Sequence, residues 1–183
     1  TSLTDTQTIT VAVANVNEAP QVIGTSFITS ISENMDTQQI TISYSDEDAN
    51  STLVYSISGT DMDDFTMDAA TGMLSFSSIP NYESPTDSDT NNVYIVIITV
   101  TDGLLSATQT ITISVVDIND PPVITSSQGG GAVSLSIDEN TTEVITVSST
   151  DEDANSTATY SISGTDVNDF SINSSSGVLT FTS

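Results

Sequence analysis

Apolar and polar residues alternate along much of this chain. In Thr108–Val115 the positions Ile111, Ile113 and Val115 alternate with Thr112 and Ser114, and Thr6–Val13 repeats the pattern almost residue for residue. A period of two places successive side chains on opposite faces of a strand. The same signal predicts strands at 21–30, 38–45, 52–59, 64–67, 72–77, 92–101 and 106–117. Asp68-Ala69-Ala70-Thr71-Gly72 reads as a turn, with Gly72 at positive φ. Asn81–Asn92 is a polar loop holding Pro85, Asp87 and Asp89. No helical period competes. Seven short strands in about 100 residues, separated by turn signals, predict an all-β sandwich.

The pattern repeats. Asp46–Phe65 and Asp151–Phe170 agree at all but four of their twenty positions, which predicts an array of similar units. Two punctuating segments mark the joints. One is Asn15-Val16-Asn17-Glu18-Ala19-Pro20, and the other is Val116-Asp117-Ile118-Asn119-Asp120-Pro121-Pro122. Proline offers no ladder donor, so each segment ends a strand. The implied division is 1–17 as the last strand of a preceding repeat, 18–120 as a complete repeat, and 121–183 as an incomplete following one. The chain reads as a window of a longer protein. The last unit supplies about five strand patterns, which predicts that it cannot close its core alone.

Charge narrows the function. The chain has 25 acidic residues, no Lys, Arg or His, and a net charge of −25. Nucleic acid is excluded as a partner, since phosphate binding rests on Lys and Arg. Anionic membrane surfaces are excluded for the same reason, and no apolar run is long enough for membrane insertion. Every carboxylate must face water, accept hydrogen bonds or bind a cation. The 36% of hydrophobic residues, in regular alternation, argue against a disordered acidic chain. With no Cys, neither disulfides nor thiolate metal sites exist. Nucleophile activation and oxyanion chemistry have almost no side chains to work with, so the expectation is not an enzyme. Paired carboxylates also serve glycosidases, but no Trp offers a sugar platform.

Asp46-Glu47-Asp48-Ala49-Asn50 and Asp151-Glu152-Asp153-Ala154-Asn155 put oxygen ligands at alternate positions, as Ca²⁺ requires. They are not EF-hand loops: the sixth position is Ser51 or Ser156 rather than Gly, and the twelfth is Ile57 or Ile162 rather than Glu. Other clusters are Ile31-Ser32-Glu33-Asn34 with its copy Ile137-Asp138-Glu139-Asn140, then Asn81-Tyr82-Glu83, then Thr101-Asp102-Gly103. Asp61, Asp63, Asp64, Asp87, Asp89, Asp166 and Asp169 read as solvated turn and loop charges. Tyr44, Tyr55, Phe65, Phe76, Tyr94 and Ile97 read as core or edge positions.

Taken together these segments resemble the extracellular cadherin repeat. The family marks are an acidic residue after the first strand, a D-R-E loop, a D-x-D-x-G-x-N segment, an A-x-D element and a D-x-N-D-N-x-P linker. Phe65-Thr66-Met67-Asp68 followed by Thr71-Gly72-Met73-Leu74, with its copy from Phe170 to Leu179, resembles the family's F-x-I-D…T-G-x-I strand pair. The tone is closest to cadherin-like repeats of large bacterial surface proteins. The resemblance implies tandem seven-stranded Greek-key β-sandwiches with immunoglobulin-like topology. It implies up to three Ca²⁺ ions per joint, with ligands from both flanking domains. For the first joint it assigns Asn15, Asn17 and Glu18, with Asp46, Asp48, Asp102 and a carbonyl near Asn50. For the second it assigns Glu33, Asn81 and Glu83, then Asp117, Asn119 and Asp120, then Asp151, Asp153 and a carbonyl near Asn155. Asn81 stands where the family has Asp, Pro121 where it has Asn, and Asn15 and Glu18 where it has Asp. The Gly of D-x-D-x-G is absent. The first joint is therefore expected to hold fewer ions, or to hold them more weakly.

The expected role is a calcium-rigidified extracellular segment at the cell surface, acting in adhesion or as the stalk of an adhesin. Its first partners are neighbouring repeats of the same chain. A homophilic, polysaccharide or other cell-surface partner stays open. So do two other classes: a repeat unit of a structural filament, and a carbohydrate- or partner-binding module.

Overall fold

In the computed structural model of the protein, residues 3–23, 30–35, 39–49 and 51–182 are described. The chain divides into two compact units, Thr1–Val116 and Asp117–Ser183.

Nine strands lie among the described residues of the first unit. They are β1 (Gln21–Ile23), β2 (Ser30–Ser32), β3 (Gln39–Thr41), β4 (Ser43–Ser45), β5 (Val54–Ser58), β6 (Phe65–Met67), β7 (Met73–Phe76), β8 (Val93–Thr101) and β9 (Ser106–Val116). One sheet runs β2-β9-β8-β5. The others are β3-β7-β6 and the β1-β4 pair. The long hairpin of β8 and β9 is its spine, pairing Val93 with Ser114 through to Thr101 with Ser106. β2 joins β9 in parallel, with Ile31 opposite Val115.

Alternation sets the core. Tyr94, Val96, Ile98 and Val100 of β8 and Ile111, Ile113 and Val115 of β9 all turn inward. They meet Ile40, Tyr44 and Leu74 from the strands of the other sheets, and Ile42 from between β3 and β4. Burying each such side chain stabilises the sandwich by about 1.5–3 kcal/mol. Phe65, Phe76 and Tyr94 form an aromatic cluster with ring centroids 4.3–5.9 Å apart. The expected strand at 21–30 is divided: β1 pairs with β4, while β2 pairs with β9 in a different sheet. Residues 24–29 between them lie outside the described residues. Residues 6–13 take no strand despite their alternation, and Ile9, Val11 and Val13 are exposed. Alternation places side chains, but a strand also needs a partner for its backbone groups.

The second unit holds β10 (Val123–Ile124), β11 (Glu143–Thr146), β12 (Ser149–Thr150), β13 (Phe170–Ile172) and β14 (Val178–Phe181). The β10-β12 pair repeats β1-β4, and β11-β14-β13 repeats β3-β7-β6. A counterpart of β2-β9-β8-β5 is absent among the described residues. No described helix is long and apolar enough to cross a membrane.

Candidate functional site

The linker before the first unit's sandwich is held by carboxylates. Asn15 donates its side-chain amide to Asp48 Oδ1. The Glu18 backbone N–H donates to Asp48 Oδ2 at 2.9 Å. Asn17 donates to Asp102 Oδ2 at 2.8 Å and to the Glu18 carbonyl at 3.1 Å. Asp48 is aimed by its own neighbourhood: its N–H donates to Asp46 Oδ1 at 2.8 Å, and its carbonyl accepts from Ser51 Oγ at 3.1 Å. Asp102 sits in the β8–β9 turn, where Oδ1 accepts the N–H groups of Leu104 and Leu105 at 2.6 and 2.7 Å. The donors from Leu105 and Leu104, then from Asn17, hold the Asp102 carboxyl below its ordinary pKa. Asp46 Oδ2 is buried and has no hydrogen-bond partner among the described residues. Of the residues expected at this joint, only Asn50 lies outside the described set.

The second unit repeats the network. The Asp120 N–H donates to Asp153 Oδ2 at 2.6 Å. The Asp153 N–H donates to Asp151 Oδ1 at 3.1 Å, and Asn119 donates to the Asp120 carbonyl at 2.9 Å. Asn155, with φ 68, takes the left-handed turn that follows. Asp117 is exposed. Asp120 and Glu152 bring carboxylate oxygens within 4.8 Å of each other. Glu152 was not among the expected ligands; its one sequence signal is its place inside Asp-Glu-Asp.

A second group lies at the other end of the first unit. Glu33 directly follows β2 and is fully buried. Its backbone N–H reaches the Val116 carbonyl at 3.2 Å, and its Oε2 accepts the Tyr82 N–H at 2.7 Å. Glu33 and Glu83 bring carboxylate oxygens within 4.8 Å of each other. Asn81 Oδ1 accepts the Ser84 N–H at 2.6 Å, which closes the loop locally.

The donor set fits a hard cation. Every candidate is a carboxylate, an amide or a carbonyl, and the sequence holds no basic side chain to balance a buried acid. Turned over, the Asn15 and Asn17 amides present oxygen instead of NH₂. The buried Asp46 Oδ2 is the kind of atom that a cation would satisfy. The residues therefore fit Ca²⁺.

Two acids read as solvated are not. Asp61 is 4% exposed and Asp87 2% exposed. Asp61 accepts the N–H groups of Ser88 and Ile95 at 2.9 and 2.7 Å. Asp87 accepts those of Asn91 and Asn92 at 2.8 and 3.2 Å. An acid-rich loop reads as a solvated one until its carboxylates are seen to serve its own backbone. Asp63, Asp89, Asp166 and Asp169 are exposed.

Comparison with known proteins agrees with this architecture. Residues 27–116 match the model of the cadherin domain family. The crystal structure of human protocadherin-24 EC1-2 is 26% identical with a TM-score of 0.54, covering 91% of this chain and 78% of that one. A second crystal form of it gives 26% and 0.57, covering 90% and 80%. Drosophila N-cadherin EC1-4, at 23% identity and a TM-score of 0.56, shares the fold over 91% of this chain and 41% of its own. No curated protein matches the sequence. The all-β Greek-key sandwich of the first unit is thus similar to the cadherin domain over residues 27–116.

Proposed function

We propose that the chain is a calcium-stiffened extracellular segment acting in cell adhesion or in the stalk of a surface adhesin. The observation that carries the reading is the repeated carboxylate network. In both units a linker N–H is tied to the second Asp of a D-x-D segment, and that Asp is tied to the first. The same chemistry built twice in one chain is a repeated device. Ca²⁺ at the joints would use Asn15, Asn17, Glu18, Asp46, Asp48 and Asp102 at the first. At the second it would use Glu33, Asn81, Glu83, Asp117, Asn119, Asp120, Asp151 and Asp153, with a carbonyl near Asn155.

The mechanism is mechanical. Without metal, clustered carboxylates repel one another and the linker flexes. With metal, ligands from the linker and its flanking repeats are fixed together, and the ordered state gains stability by linkage. The domain division at 18–120 and 121–183 belongs to the same reading. Its immediate partners are neighbouring repeats, with a homophilic or cell-surface partner beyond them. The test is a thermal melt of the chain in millimolar Ca²⁺ and in EDTA. The melting temperature should fall in EDTA by an amount that follows free Ca²⁺; identical curves would refute the reading.

A further inference from the structure

The loop bearing Asn81 and Glu83 is held from behind by polar groups that the proposed calcium chemistry does not use. Asp87 gathers the N–H groups of Asn91 and Asn92. Asn92 is thereby set at φ 64. Its backbone carbonyl accepts the Val115 N–H of β9 at 2.9 Å. Its side-chain Nδ2 donates to the Tyr82 carbonyl at 2.8 Å. On the other side of that residue, the Tyr82 N–H donates to Glu33 Oε2. Asp61 pins the same loop to β8 by holding the N–H groups of Ser88 and Ile95 together. A continuous path runs from a buried carboxylate, through one amide, to the residue between Asn81 and Glu83.

We propose that Asn92, set by Asp87 and braced by Asp61, is a positioning residue for the Glu33–Asn81–Glu83 calcium ligands. The proposal rests on the calcium reading above and deepens it. Tyr82 is gripped at both ends of its peptide framework, by Asn92 at the carbonyl and by Glu33 at the N–H. Removing the Asn92 grip frees Glu83 to leave Glu33, and two carboxylates that close separate when no cation holds them.

The test is Asn92→Gly in the whole chain. Glycine accepts φ 64 without strain, so the amide contact is lost with only a modest added cost in backbone freedom. Ca²⁺ is titrated while the backbone amide resonances of Tyr82, Glu83, Asp46 and Asp48 are followed by NMR. The expected result is about tenfold weaker Ca²⁺ affinity at Tyr82 and Glu83, the size of effect found when groups supporting a metal ligand are lost. Affinity at Asp46 and Asp48 should not change. Unchanged affinity at Glu83, or equal loss at both places, overturns the proposal. Asp87→Asn should act in the same direction; if that variant does not fold, Asn92→Gly decides alone. If the unmodified chain shows no Ca²⁺ response, the calcium reading itself fails. The positioning of Tyr82 is then judged by its amide hydrogen exchange, which Asn92→Gly should accelerate severalfold and which an idle Asn92 would leave untouched.

Discussion

Tyr55-Ser56-Ile57-Ser58-Gly59-Thr60-Asp61 and Tyr160-Ser161-Ile162-Ser163-Gly164-Thr165-Asp166 are the same sequence in two settings. In the first unit it supplies most of a strand, with Tyr55 through Ser58 paired to Val100 through Ile97 of β8. In the second unit it is not a strand. Tyr55 and Phe65 are buried, while their copies Tyr160 and Phe170 are half-buried. A Cβ on Gly59 would meet the backbone of Ile95–Ile97 at 3.1–3.3 Å, and one on Gly164 would meet nothing within 4 Å. Asp61 is buried beneath the 81–92 loop, whereas Asp166 is exposed. Every buried hydrophobic side chain among the described residues lies in the first unit. The local code is shared; the β8–β9 hairpin is not. Strand state here is decided by the neighbour offered, not by propensity.

The comparison breaks most readily at the core. Ile98→Ala should cost about 2–5 kcal/mol, because a fully buried side chain leaves a cavity beneath β9. Leu179→Ala in half-buried β14 should cost well under half as much. Chemical denaturation of the two variants measures both, and equal costs would mean that the second unit is as well packed as the first.

A smaller effect is expected at Gly72, with φ 73. A Cβ there would lie 2.8 Å from Tyr55 Cε1 and 2.9 Å from the Ile42 carbonyl oxygen. Gly72→Ala should cost about 1–3 kcal/mol. Gly130→Ala, with open space around it, should change stability by no more than about 0.5 kcal/mol. The melting temperatures of the pair sharpen the contrast.

The smallest effect concerns pH. Burial pushes the Asp61 carboxyl up, but the N–H groups of Ser88 and Ile95 and the Ser88 hydroxyl outweigh it and hold its pKa below the ordinary value. A depressed folded pKa means that the unfolded chain takes the proton first. The stabilisation is complete above the ordinary Asp range of about 4 and is lost as pH falls through the depressed value. Acid relieves general repulsion at the same time, so variants must be compared with the parent. Measured in EDTA, Asp61→Asn should remove part of the acid-induced loss. An Asp61→Asn profile that matches the parent's would remove Asp61 from the account.

Much of this was legible in the sequence. Strands in all seven expected segments and the inward positions of β9 follow from alternation, and the Gly72 turn follows from its turn residues. In β8, Tyr94 reads as a core or edge position alongside Ile97, which lies on the opposite face and is half-buried. The division of 21–30 between two sheets did not follow, because a strand that changes sheets keeps its alternation. The pairing of the linkers with Asp48, Asp102 and Asp153 came from the family resemblance and not from spacing, since those residues lie 30 or more positions apart. The burial of Asp61 and Asp87 was missed because composition reports a charge and not the N–H groups waiting for it. Asp166 carries the same local sequence as Asp61, so no local signal separates them.

The central claim is that the linker and D-x-D carboxylates hold Ca²⁺ and stiffen the chain. Small-angle scattering of the whole chain during a Ca²⁺ titration, beside Asp48→Ala combined with Asp153→Ala, tests it most directly. The account predicts that Ca²⁺ narrows the distribution of intramolecular distances in the unmodified chain. The double variant should keep its EDTA profile throughout. Scattering that ignores Ca²⁺ in the unmodified chain, or a double variant that responds as fully as its parent, would contradict it.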